Sequence, residues 1–99
     1  METTNSYYEA RSEPRYRIVK KLYLRLAESE PLQKEEVITE NISENGMCIW
    51  TRMQIPVQSR VYIETPEKDF RALATVIYNY QSHTGLKIIT SKGKQFLFS

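Results

Sequence analysis

Two arginines stand four positions apart near the start of the chain, in the stretch RSEPR that runs from Arg11 to Arg15. A guanidinium group can hold phosphate oxygens through parallel hydrogen bonds, and it can also lie flat on a purine ring. Arg11 and Arg15 together therefore have the chemistry to clamp a nucleotide. Taken alone, the pair is a weak signal, because arginines in a polar segment are usually just solvated.

A second polar group is NISENG, which covers residues 41–46. Asn41 and Ser43 are two positions apart, so on a strand they project from the same face, where an amide and a hydroxyl can read a base edge. Asn45-Gly46 is a strong hairpin signal, because a type I′ turn needs positive φ and these residues tolerate it. The same residue types suit any tight turn. A hairpin without a binding role therefore stays open as an alternative.

Cys48 and His83 are the single cysteine and the single histidine of the sequence. We interpret Cys48 as a small buried hydrophobic residue, since nothing in the sequence places His83 beside it as a base. The two residues also fall short of a metal-ligand set, and no paired-carboxylate or nucleophile motif stands out. We therefore predict neither a metal site nor an enzyme.

Six strands with two-residue periodicity are predicted to position these side chains. No convincing amphipathic helix interrupts them, which favours an all-β barrel or sandwich, and closure would remove the exposed edges. Trp50, Tyr62 and Tyr78 are expected to pack in or over this barrel. The predicted strands cover residues 17–27, 36–43, 47–52, 57–64, 70–80 and 85–90.

The length of 99 residues allows one domain with a modest core, and 40% hydrophobic and 26% charged residues are typical of a folded domain. The net charge of +2 is too small to indicate a dedicated nucleic-acid binder. The first residues, METTNSYYEARSE, lack the apolar core of a signal peptide, and no apolar run approaches the length of a membrane span. A single cysteine suits a reducing compartment, so we expect a cytoplasmic protein.

The two motifs in this order, R-x-x-x-R before the first strand and N-x-S-x-x-G one strand later, resemble the PilZ domain. Members of that family use these motifs to bind cyclic di-GMP. The resemblance extends from Arg11 to about Thr90 and includes the apolar residues 47–50 and the late GLKI. It implies a six-stranded antiparallel β-barrel over residues 17–90. The polar residues 1–16 are expected to form a flexible N-terminal arm, and residues 91–99 a short C-terminal tail.

The resemblance also implies roles for individual residues. Arg11 and Arg15 would hold phosphate and stack on guanine, Asn41 and Ser43 would hydrogen-bond the ligand, and Gly46 would permit the turn. We therefore expect a non-enzymatic cyclic di-GMP receptor that signals by ordering its arm and contacts a downstream protein partner. It would need no cofactor, no nucleic acid polymer and no membrane insertion.

Two departures from the family pattern and two alternatives stay open. Ala10 stands where many relatives carry a further arginine, which leaves the ligand stoichiometry undecided. Residues 91–99 are short where relatives often have an amphipathic helix, so the oligomeric state is not inherited. One alternative is a PilZ-like adaptor that has lost the nucleotide and acts through protein contacts. The other is a small OB-like nucleic-acid-binding barrel, suggested by tyrosines and arginines on strand faces.

Overall fold

The computed structural model describes residues 14–28 and 34–98. Its strands form a closed barrel in the order β1-β2-β3-β6-β5-β4, with every neighbouring pair antiparallel. The predicted six-stranded antiparallel barrel is confirmed. The elements are β1 (Lys21–Leu26), β2 (Glu35–Ile42), β3 (Gly46–Trp50), β4 (Arg60–Glu64), β5 (Arg71–Tyr80), β6 (His83–Lys92) and a 3₁₀ helix (Lys94–Phe98).

The core fills the inside of the barrel, because successive side chains of a strand point to opposite faces. On β1, Leu22 and Leu24 are fully buried, and Arg25 and Tyr23 alternate with them at positions that keep contact with solvent. Burying such a leucine contributes about 1.5–3 kcal/mol. The same cluster includes Ile55, Phe70 and Leu97 from outside the strands.

The chain before β1 already lies against β2, which differs from the predicted strand start at residue 17. Tyr16 and Ile42 exchange both backbone hydrogen bonds, at 2.8 and 2.9 Å. Farther along, the Thr39 hydroxyl accepts a bond from the Lys20 amide and donates one to the Ile18 carbonyl. Because this side chain replaces part of the backbone ladder, regular pairing begins only at β1. Tyr16, inside the expected arm, nevertheless already pairs with the barrel through its backbone.

The β2–β3 hairpin does not use the predicted type I′ turn. The Ser43 amide donates to the Gly46 carbonyl at 2.9 Å, and neither Asn45 nor Gly46 has a positive φ. Glycine is required at position 46 for a different reason. An added Cβ would lie 2.6 Å from the Leu86 carbonyl oxygen of the neighbouring strand β6, which is too close.

The connection between β5 and β6 is shorter than the predicted polar turn over residues 82–84. Gln81 adopts a φ of 56°, in the left-handed region, and lets the chain reverse over Gln81 and Ser82. The strand β6 therefore begins at His83, two residues before its predicted start. His83 pairs with Trp50 on one side and with Tyr80 on the other.

The predicted C-terminal tail is largely part of the barrel. β6 continues to Lys92, and Gly93 then turns the chain with a φ of 80°, where an added Cβ would collide with the Asp69 carbonyl oxygen. Leu97 in the following 3₁₀ helix is fully buried, so its apolar side chain holds this segment on the core. Within the described residues, no helix is long and apolar enough to cross a membrane.

The β2–β3 ladder is interrupted by a bulge. Thr39 pairs with Ile49, but the next partners are Asn41 and Cys48, so Glu40 is an extra residue with no counterpart on β3. A bulge bends its strand and redirects the side chain at the extra position. Glu40 is thereby released from the regular pairing, and its carboxylate turns towards β3 and β6.

Candidate functional site

The structure brings the two sequence motifs together at the end of β2. The Arg15 guanidinium donates a hydrogen bond from Nη1 to Asn41 Oδ1 at 2.7 Å, across 26 residues of sequence. The backbone pair of Tyr16 and Ile42 places Arg15 beside Asn41. Arg11, the other arginine of the motif, lies outside the described residues. Arg15 and Asn41 thus offer neighbouring donors on the outer surface of the barrel.

Ser43 and Gly46 lie in the adjacent turn. The Ser43 hydroxyl donates to the Gly46 carbonyl oxygen at 3.3 Å, the same oxygen that accepts from the Ser43 amide. Ser43 is 4% exposed, so a ligand would reach it only at the edge of the hairpin. The Ser43 hydroxyl therefore contributes a hydrogen bond to the turn, and the sequence also predicts that it binds the ligand.

Positive charge predominates around this hairpin. Arg15 and Arg17 are exposed on the approach to β2, and Lys87 is exposed on β6 opposite Gly46. The nearby carboxylates are the exposed Glu44 in the turn and Glu40 on β2, which interacts electrostatically with Arg17. Three cations around one turn favour an anionic ligand such as a phosphate.

Three further side chains converge next to the hairpin, and the sequence prediction missed them. The Glu40 carboxylate lies 2.8 Å from His83 Nδ1 and accepts a bond from Cys48 Sγ at 3.4 Å. The ligand atoms of all three side chains lie within 4.8 Å of one another. Nothing in the sequence placed His83 near Cys48, and the structure brings the two side chains together. The physical reasons are the bulge at Glu40 and the early start of β6, neither of which alters the hydrophobic periodicity.

The protonation of this group follows from its surroundings. Burial raises the pKa of the Cys48 thiol, and the Glu40 carboxylate raises it further against the hydrogen bond from the Tyr78 hydroxyl. Cys48 is therefore a protonated thiol at neutral pH and a poor nucleophile. Burial opposes ionisation of Glu40, but the hydrogen bonds from His83 and Cys48 outweigh it and lower the pKa of Glu40.

An apolar row crosses the outside of the barrel beside these residues. Trp50 pairs with both Ile38 and His83, and His83 pairs with Tyr80. Ile38 is 44% exposed, Trp50 45% and Tyr80 66%. The Trp50 and His83 rings are 4.0 Å apart between centroids. Trp50 therefore packs over the outside of the barrel and not within it. This is one of the two arrangements that the sequence predicted for this residue.

Another groove, of about 490 Å³, lies elsewhere on the surface and contains none of the five predicted site residues. It includes four basic side chains, and Arg25 lies 4.5 Å from the centroid of the Tyr62 ring. The Tyr62 ring is therefore already in contact with Arg25 of the same chain. The four basic residues are Arg25, Lys34, Arg71 and Lys92.

Comparison with known proteins agrees with this geometry. The chain matches the family model described as PilZ domain over residues 9–97, nearly its whole length. No curated protein matches the chain. PilZ domains are binding and effector domains, a family associated with cyclic di-GMP, and the match favours this family over the OB-like alternative. With this match over residues 9–97 and a closed six-stranded barrel that brings Arg15 beside Asn41, the chain belongs to the PilZ domain family.

Proposed function

We propose that this protein is a cyclic di-GMP receptor that binds the dinucleotide between its R-x-x-x-R segment and its N-x-S-x-x-G hairpin. The observation that carries the proposal is the 2.7 Å hydrogen bond between Arg15 and Asn41, which joins the two motifs in the folded chain. The proposed binding residues are Arg11, Arg15, Asn41, Ser43 and Gly46.

The chemistry of the exposed groups suits this ligand. A guanidinium has five N–H donors, so Arg15 can hold Asn41 and still bind phosphate oxygens or lie on a guanine ring. The Asn41 amide has two N–H donors for acceptors on a base edge. Cyclic di-GMP carries two phosphates and two guanines, so it can use the arginines and the hairpin at once. A mononucleotide has fewer matching groups.

Titration calorimetry of the full chain with cyclic di-GMP, GMP and cyclic AMP tests the proposal. We expect the dinucleotide to bind more tightly than either mononucleotide. Arg15→Ala should weaken its binding by roughly ten- to hundredfold, the loss of a charge-assisted contact. Arg60→Ala is a matched control, because Arg60 lies on β4, across the barrel from β3. Equal affinity for all three nucleotides would contradict the proposal, and an unchanged affinity in Arg15→Ala would remove Arg15 from the site.

The proposed signal is the ordering of the arm, residues 7–15, against the barrel. Tyr16 supports this role, because its backbone pair with Ile42 gives the arm a fixed anchor beside the site. Ligand bound by Arg11 and Arg15 would fix the preceding residues and present a new surface to a downstream protein partner. Recognition of this kind needs no catalytic group or cofactor. We place the receptor in the cytoplasm, where the single thiol stays reduced.

The exposed apolar row favours a second candidate, a PilZ-like adaptor that acts through protein contacts alone. Ile38, Trp50 and Tyr80 expose large apolar side chains next to one another, a feature that often marks a protein contact. The same titration separates the two candidates. A folded wild-type chain that binds none of the three nucleotides would favour the adaptor.

A further inference from the structure

Glu40, Cys48 and His83 form a compact group of three different metal-ligand types, which we call the Glu40–Cys48–His83 cluster. The carboxylate oxygen is 2.8 Å from the imidazole nitrogen and 3.4 Å from the sulfur. Zinc binds nitrogen, oxygen and sulfur at about 2.0–2.3 Å, which in tetrahedral geometry separates the donors by about 3.4–3.6 Å. The two distances from the carboxylate are thus near those of a zinc site, and the nitrogen-to-sulfur distance, which is within 4.8 Å, would shorten by up to about 1 Å around one ion.

The charges of the cluster also match a divalent cation. A Cys48 thiolate and a Glu40 carboxylate together supply two negative charges, and a neutral His83 adds none. The loaded site would be electrically neutral, which suits a position where Cys48 is 4% exposed and both partners are largely shielded. Sulfur and imidazole ligands select zinc and similar transition metals over magnesium and calcium, which prefer oxygen.

Three separate strands hold these ligands in place. Glu40 is the bulge residue of β2, Cys48 lies within β3, and His83 begins β6. The Trp50 ring packs against the His83 imidazole, and the Tyr78 hydroxyl donates to Cys48 Sγ at 3.6 Å. Such outer contacts orient metal ligands in proteins. The ligand side chains of the cluster are therefore held by the same kinds of outer contact that orient ligands in metal sites.

We propose that the Glu40–Cys48–His83 cluster binds a zinc ion, with these three side chains as ligands and a fourth position for water or a ligand from outside. Binding would release the thiol proton of Cys48 to water. His83 would coordinate through Nδ1 as the neutral ring, with its proton on Nε2. The site is distinct from the nucleotide-binding residues, so its test does not depend on cyclic di-GMP.

Cobalt titration tests the site directly, on the full chain prepared without a polyhistidine tag. Co²⁺ is a spectroscopic substitute for zinc, and a thiolate bound to it gives a near-ultraviolet charge-transfer band. Because Cys48 is the single cysteine of the sequence, the band reports on this residue alone. We expect it to saturate at one Co²⁺ per chain and to disappear when Zn²⁺ is added. Zn²⁺ alone should also raise the melting temperature.

Variants of the two partly exposed ligands are decisive, because the fold tolerates changes there more readily than at buried Cys48. His83→Gln and Glu40→Gln should each weaken Co²⁺ binding by at least about tenfold. They should also abolish most of the Zn²⁺-dependent rise in melting temperature. Glu36→Gln, an exposed carboxylate on the same strand, is the matched control and should bind metal like the wild type.

Two results would overturn the proposal. One is a wild-type chain without a charge-transfer band at millimolar Co²⁺. The other is a band of unchanged affinity in His83→Gln and Glu40→Gln, because it would mean that Cys48 binds metal alone. If the band is lost in Cys48→Ser but keeps its full affinity in His83→Gln and Glu40→Gln, the proposal is likewise overturned, because Cys48 would then bind metal without the other two ligands.

Discussion

Arg15 reaches Asn41 through an exposed hydrogen bond. A single exposed hydrogen bond contributes about 1 kcal/mol or less to stability, whereas several charge-assisted bonds to phosphates contribute considerably more. The contact is strong enough to keep the guanidinium near the hairpin and weak enough to rearrange around a ligand. Arg15 thus lies next to the hairpin and can exchange its hydrogen bond to Asn41 for bonds to a ligand.

Ser43→Ala should weaken binding of cyclic di-GMP by about fivefold to tenfold, since one hydroxyl contact is lost. The melting temperature should stay nearly unchanged, because the turn keeps its 2.9 Å backbone bond to Gly46 and loses only a long bond of 3.3 Å. Calorimetry and thermal unfolding measure the two effects. Ser82→Ala, in the opposite turn, is the control. A large drop in melting temperature would make Ser43 a turn residue alone.

The β2–β3 hairpin depends on how closely β6 approaches it. Gly46 pairs with Lys87, and the neighbouring Leu86 carbonyl oxygen occupies the space that a side chain would need. Close approach, and not backbone conformation, therefore explains the glycine. The two explanations differ in what they predict for asparagine, which tolerates positive φ but has a Cβ.

Gly46→Ala should lower the free energy of unfolding by about 1–3 kcal/mol, since the added Cβ must push β3 away from β6. Gly46→Asn should destabilise the protein at least as much, because a Cβ is present in both. Urea unfolding measures both variants, with Glu44→Ala in the same turn as a control. If Gly46→Asn were as stable as the wild type while Gly46→Ala was not, the turn would need a positive φ after all.

The barrel as a whole is closed, and a polar segment precedes it in the sequence. Closure of β4 on β1 leaves no unpaired strand edge among the described residues. Ordering a residue of the arm costs about 1–2 kcal/mol, and the polar residues 7–15 have little apolar surface to compensate for it. Contacts between the arginines and phosphates are the available source of compensation.

Amide hydrogen exchange should therefore show residues 7–15 unprotected in the free protein and protected with saturating cyclic di-GMP. The Tyr16 amide is an internal control, because it donates to Ile42 and should be protected in both states. Protection of residues 7–15 without ligand would argue against the arm as the switch. So would continued exchange at saturation, and the signal would then leave by another route.

Much of this molecule could be predicted from its sequence because periodicity records burial. Leu22, Leu24, Val61 and Ile63 alternate with polar residues and lie in the core as expected. The resemblance to the PilZ domain also implied that Arg15 and Asn41 bind one ligand, and the two side chains are hydrogen-bonded. The burial follows from local alternation, which the residues display directly, whereas the second feature depended on the resemblance.

The features that were not predicted depend on three-dimensional geometry, which does not change the hydrophobic periodicity of the sequence. Gln81 is not a usual residue for positive φ, so the tight turn that brings His83 opposite Trp50 was not foreseen. The residues of the Glu40–Cys48–His83 cluster come from three strands, and their spacing in the sequence does not indicate a cluster. The need for Gly46 was anticipated, but its cause lies on a strand 40 residues away.

The bulge at Glu40 has a consequence for which side of the barrel wall each later residue of β2 occupies. Val37 and Thr39 are buried, and strict alternation would turn Asn41 inwards after them. The extra residue changes the parity of the strand, so that Ile42 enters the core and Asn41 faces Arg15 outside. Deleting Glu40 would remove the extra residue and restore a regular ladder, in which Asn41 still faces outwards and Ile42 still faces the core. For a relative of this chain, the number of residues before the motif therefore does not by itself show which way its asparagine faces, because a bulge can absorb one residue.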